Sequence, residues 1–146
     1  MNTPLQQLRK EYTRLSLSEP SLSADPFEQF RVWFADATEA ALPEPNAMAL
    51  ATASPEGMPS IRMVLLKDVL KDGFVFFTNY KSRKAKHLDK NPNAALLFFW
   101  EKLERQIRIE GMVEKTDPAY ADAYFQSRTP ESRASALASA QSSVIG

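Results

Sequence analysis

The chain has 146 residues, with 18 Lys plus Arg against 18 Asp plus Glu, no cysteine, one histidine, 44% hydrophobic and 25% charged residues. That composition is ordinary for one globular domain, and it excludes structural disulfides, thiolate zinc sites, iron–sulfur clusters, cysteine nucleophiles and multi-histidine metal centres built from this chain. No apolar run approaches the roughly 18 residues of a membrane span, the first residues lack the blocks of a signal peptide, and zero net charge speaks against bulk nucleic-acid binding, so the expected setting is the cytoplasm, with neither membrane nor nucleic acid as partner.

Residues 1–24 are expected to form an arm ahead of a domain over residues 25–146. Within the arm, Leu5, Leu8, Tyr12 and Leu15 have helical spacing, and a Ser/Pro-rich linker follows. Asp25-Pro26 reads as the N-cap and first residue of a helix that shows Phe27, Phe30, Phe34 and Ala37 on one face and ends near Pro43. The period then changes. Residues 47–53, 60–69 and 74–79 read as strands, separated by turns at Ser54-Pro55-Glu56-Gly57 and Lys71-Asp72-Gly73. Residues 82–89 read as a short helix with Ala85 and Leu88 inward, stopped by Asn91-Pro92. Residues 94–100 form a near-continuous apolar strand. Residues 105–114 alternate, with Ile107, Ile109 and Val113 on one face and Gln106, Arg108 and Glu110 on the other. Asp117-Pro118 opens a helix through Phe125, and Thr129-Pro130 opens another. Strands joined mostly by short connections predict a mainly β protein with peripheral helices (α+β), a small antiparallel barrel rather than a doubly wound sheet.

The residues with chemical potential are mostly cationic. Arg83 and Lys84 open the short helix, flanked by Lys81, Ser82 and Lys86. Cations in a first helical turn oppose the macrodipole, whereas a docked phosphate would suit that helix end; the segment alone reads either as a solvated face or as a phosphate site. Arg62 and Lys67 interrupt an apolar strand, where an unpaired charge is expensive. Five positions apart, they fall on opposite faces unless a bulge intervenes. Tyr124 and Arg128, one helical turn apart, form with Ser132 a second polar set, and Gln106 is a neutral donor and acceptor able to read a heterocycle edge. His87 reads as a surface residue, and Phe98, Phe99 and Trp100 as core. No acid–base dyad or nucleophile motif is visible, so no catalytic residue is assigned.

In order along the chain, LRKEY (8–12), DPFEQF (25–30), RMVLLK (62–67), FFTNYKSRKAKHL (76–88), NPNAALLFFW (91–100), LERQIRIEGMVEK (103–115), YFQSRTPESR (124–133) and QSS (141–143) resemble the pyridoxine/pyridoxamine 5′-phosphate oxidase family. The resemblance implies an FMN-binding split β-barrel, C-terminally shortened, working as a homodimer with FMN between subunits. It carries over as FMN contacts Arg62, Met63, Val64, Leu65, Leu66 and Lys67; Phe77 and Thr78; Arg83 and Lys84 at the phosphate; Gln106; and Gln141 with Ser142. Tyr124, Arg128 and Ser132 match the site for the substrate phosphate, Lys67 lies near the substrate, and Arg9 and Tyr12 match an arm that covers it. The implied reaction oxidises pyridoxamine 5′-phosphate or pyridoxine 5′-phosphate to pyridoxal 5′-phosphate, with O2 reduced to H2O2. The cofactor carries the redox chemistry, which accounts for the missing dyad. Family members continue past the QSS segment, so the chain is expected to be a partial oxidase. The alternative is an FMN- or pyridoxal-phosphate-binding module of the same fold without turnover.

Overall fold

The computed structural model describes residues 4–8, 19–78 and 82–127. Helix α1, Pro26–Glu39, starts as its sequence dictates: Asp25 accepts a hydrogen bond from the Phe27 amide at 2.9 Å, and Pro26 occupies the first turn, where no amide donor is needed. The helix ends four residues before Pro43, because Leu42 folds back onto the Ala37 carbonyl and Ala41 takes a left-handed conformation, with φ 55°.

Five strands follow: β1 Ala47–Ala53, β2 Pro59–Val69, β3 Phe74–Phe76, β4 Asn93–Trp100 and β5 Arg105–Met112, with helix α2, Arg83–Lys90, between β3 and β4 and helix α3, Pro118–Ser127, after β5. They form one antiparallel sheet in the order β3-β2-β1-β4-β5, a curled half-barrel. The β1–β2 hairpin turns at Ser54–Gly57, where Gly57 adopts φ 89° at no steric cost. Of the expected third strand, 74–79, among the described residues only Phe74, Val75 and Phe76 find strand partners, on Val69, Asp68 and Leu66. The register shifts between Leu66 and Asp68, a bulge at the foot of β2.

The inner face of the sheet has two ends of different character. At one end Phe30 of α1 lies over β4, with ring centroids 5.1 Å from Phe98 and 6.0 Å from Trp100, and meets Phe74 edge-on at 5.0 Å. Met48, Leu66 and Ala37 complete this core. The Trp100 indole donates to the Pro45 carbonyl at 2.9 Å, so its one polar atom is satisfied. At the other end the inner face turns polar, and α2 packs there against β1. Phe99 corrects the expectation that all three aromatic residues of β4 are core: it is 59% exposed on the outer face, while its neighbours Phe98 and Trp100 point inward. Among the described residues no helix is long and apolar enough to cross a membrane.

Candidate functional site

The polar end of the inner face is built by three elements. β1 presents Met48, Leu50 and then Thr52 inward, with Thr52 3% exposed. β2 sets Arg62 opposite Leu50 in the register. The Arg62 Nη1 donates to the Leu50 carbonyl at 3.0 Å and to Thr52 Oγ1 at 2.8 Å. Those bonds are why an arginine is tolerated on a core-facing position. α2 adds His87, whose Nδ1 lies 3.5 Å from Thr52 Oγ1.

The start of α2 is buried. Ser82 is wholly buried as N-cap; its Oγ accepts from the Ala85 amide at 3.2 Å and lies 3.1 Å from Thr78 Oγ1. Lys84 is 2% exposed. Burial holds its amine below the usual lysine range, and the nearby Arg62 guanidinium pushes it further the same way. The solvated-face reading of this segment is therefore corrected for Lys84. Two cations, one of them buried, stand together beside a helix N-terminus. An anion there would relieve both the repulsion and the dehydration, so the donor set fits a phosphate.

The structure brings Arg62, Thr78 and Lys84 to one place, and α2 begins at Arg83. Lys67 is exposed, and β2 alternates so that Arg62, Val64 and Leu66 face inward while Met63 and Leu65 face out with Ile61. Gln106 is exposed on the outer face of β5, opposite Phe99. The block 62–67 thus does not present one face. It does present one edge: β1 pairs with Pro59 through Leu65, while β3 pairs only with Leu66, Asp68 and Val69. Among the described residues, the side of β2 away from β1 carries no strand along residues 59–65. A ligand on that edge reaches both faces. Phe77 and Thr78 line an adjoining groove of about 750 Å³, between β3 and α2 on one side and β4 and β5 on the other, with Phe74, Phe76, Leu96 and Ile109 in its wall. Tyr124 lies on α3, and Arg9, Tyr12, Arg128, Ser132, Gln141 and Ser142 lie outside the described residues.

Thr52 is a site residue that sequence reasoning missed. A single hydroxyl in AMALATA carries no pattern, although its parity with Met48 and Leu50 placed it on the inner face. Ser82 was read with the cations as part of a candidate phosphate site, but its role as N-cap was not, although a serine directly before a helix is an N-cap signal.

A family model described as pyridoxamine 5′-phosphate oxidase matches residues 34–146. The chain is 54% identical over 145 residues to a pyridoxine/pyridoxamine 5′-phosphate oxidase of Trichormus variabilis, covering 99% of this chain and 68% of that protein. It is 56% identical over 143 residues to the enzyme of the same description from Thermosynechococcus vestitus, covering 98% and 68%. Among solved structures, PhzG of Burkholderia lata, in complex with tetrahydrophenazine-1-carboxylic acid, superposes with a TM-score of 0.83 at 28% identity, over 92% of this chain and 68% of that one. An FMN-binding protein of Nostoc punctiforme, related to pyridoxamine 5′-phosphate oxidase, shares the fold with a TM-score of 0.62 at 22% identity, over 77% and 62%.

Proposed function

Because the chain belongs to the pyridoxine/pyridoxamine 5′-phosphate oxidase family, we propose that it binds FMN and oxidises pyridoxamine 5′-phosphate or pyridoxine 5′-phosphate to pyridoxal 5′-phosphate, with O2 as acceptor and H2O2 as second product. The observation that carries this reading is the cation pair: buried Lys84, at 2% exposure, beside Arg62, at the capped start of α2. Bound FMN supplies the two-electron oxidation that no side chain of this protein can perform.

The protein's work is positional. Arg62 and Lys84 hold the FMN phosphate, with Arg83, Ser82 and Thr78 around it, each charge-assisted bond worth about 1.5–3 kcal/mol. The side of β2 away from β1 over residues 62–65, where no described strand pairs, offers backbone groups to the flavin ring, with Lys67, Phe77, Gln106, Gln141 and Ser142 completing its contacts. Tyr124, Arg128 and Ser132 take the substrate phosphate, and the arm over residues 1–24 covers the substrate with Arg9 and Tyr12. Two phosphates held at two fixed places set the substrate ring against the flavin, the kind of orientation that lowers a barrier without any acid or base.

We place the working unit as a homodimer in the cytoplasm. The outer face of the sheet supports the dimer. Ile61, Met63 and Leu65 of β2, the alanines of β1, and Leu97 and Phe99 of β4 form one apolar surface, with Ile61 69%, Met63 65% and Phe99 59% exposed. A surface of that kind marks an interface.

The test is an absorbance spectrum of the purified chain with added FMN, followed by a peroxide assay with pyridoxamine 5′-phosphate. A flavin spectrum shifted by binding, with peroxide formed on substrate addition, is expected. Binding without peroxide would establish the binding-module alternative instead, and no binding at micromolar FMN would overturn both.

A further inference from the structure

We propose that Thr52 is the positioning residue that sets the Arg62 guanidinium for the cofactor phosphate, an inference that rests on the FMN reading above. Nothing in the apolar pattern of β1 requires a hydroxyl at this place. Thr52 follows Met48 and Leu50 on the inner face and is 3% exposed. A valine would fill the same volume and suit a strand equally well. A hydroxyl buried so completely costs stability unless it is bonded, and here it is bonded to Arg62, the arginine set opposite Leu50 in the register.

The bond fixes more than a single atom. Arg62 Nη1 is shared between the Leu50 carbonyl at 3.0 Å and Thr52 Oγ1 at 2.8 Å, two acceptors on neighbouring inward positions of β1. The guanidinium is planar and rigid, so holding Nη1 between two acceptors fixes the plane of the whole fork. The backbone acceptor is supplied by any residue at position 50; only the hydroxyl depends on a side chain.

Thr52 also joins the elements that carry the cations. It belongs to β1, it accepts from Arg62 of β2, and it lies 3.5 Å from His87 Nδ1 on α2, the helix that carries Lys84. With the imidazole proton on Nε2, the hydroxyl donates to His87 and its oxygen is left to accept from Arg62. The lowered Lys84 amine is consistent with Arg62 being held toward that helix.

The experiment compares FMN with riboflavin, which lacks the phosphate, by quenching of flavin fluorescence on the full chain after removal of bound flavin. Wild type should prefer FMN. Thr52→Val should lose about tenfold in FMN affinity, one charge-assisted bond's worth of positioning, with riboflavin affinity unchanged. Thr52→Ser, which restores the hydroxyl, should return FMN affinity to within about twofold of wild type. Thr52→Val added to Arg62→Ala should cause no further loss, because the two act through one group. If wild type shows no preference for FMN, the phosphate site itself is refuted. If wild type prefers FMN and Thr52→Val keeps that preference, only the role of Thr52 is refuted. Equal loss of both flavins in Thr52→Val and Thr52→Ser would mark a packing role and also overturn it.

Discussion

The Tyr120 phenol donates to Asp68 Oδ2 at 2.7 Å, tying the first turn of α3 to the bulge that ends the pairing of β2. Asp68 directly follows Lys67, and Tyr120 sits one helical turn before Tyr124 on α3, so the bond links the two stretches proposed above to meet the substrate. Tyr120→Phe removes the donor at an exposed site, where a hydrogen bond contributes about 0.5–1.5 kcal/mol. Global melting should shift little, while amide exchange in α3 should speed up severalfold. Hydrogen-exchange mass spectrometry that finds α3 unchanged would show the helix to be held by other contacts.

Lys84→Met should weaken FMN far more than riboflavin, and it should change the pH response of the apoprotein. The folded Lys84 amine binds its proton less tightly than the unfolded chain does. Between the two values the unfolded chain holds more protons, so stability rises with pH there. Below the folded value Lys84 is charged in both states and the rise is absent. Melting curves of the flavin-free protein toward alkaline pH should show this rise in wild type and not in Lys84→Met. A bound phosphate favours the charged amine, so FMN affinity should fall as pH passes upward through the apoprotein's value. Identical pH profiles for wild type and variant would contradict the burial of this cation.

Phe98→Ala removes the ring against which Phe30 and Trp100 lie at 5.1 and 5.8 Å. Phe98 is wholly buried, so the loss should be about 3–5 kcal/mol, a large part of the stability of a small domain. Urea denaturation measures it. Phe99→Ala, one residue on but outward, should cost the isolated subunit little.

Met63→Asp places a charge in the middle of the outer apolar face. Sedimentation velocity should show wild type as a dimer and the variant as a monomer. A variant that remains dimeric would locate the interface elsewhere.

The elements readable in advance were those whose signals are local. Asp25-Pro26 announced α1, and strict alternation announced β5. The spacing of Arg62 and Lys67 put them on opposite faces unless a bulge intervened; in the structure Arg62 faces inward and Lys67, exposed, is itself the bulge residue between Leu66 and Asp68. What stayed hidden depends on packing between distant segments. In AALLFFW both parities are apolar, so nothing local says that Phe98 is buried and Phe99 is not. The run FVFFTN continues as a strand on paper, but among the described residues it pairs only to Phe76, at the point where β2 pairs with β1 instead. Lys84 looked like one more surface cation, because its burial is decided by α2 lying on β1.

Among the described residues, no strand covers the side of β2 away from β1 along residues 59–65, and that has a cost when no cofactor lies there. A strand margin of this kind, next to exposed Ile61 and Met63, is a template on which another chain can add itself. A flavin lying there would act as a plug. Supply of the vitamin would then govern how much of the polypeptide escapes aggregation, and not merely how fast it turns over.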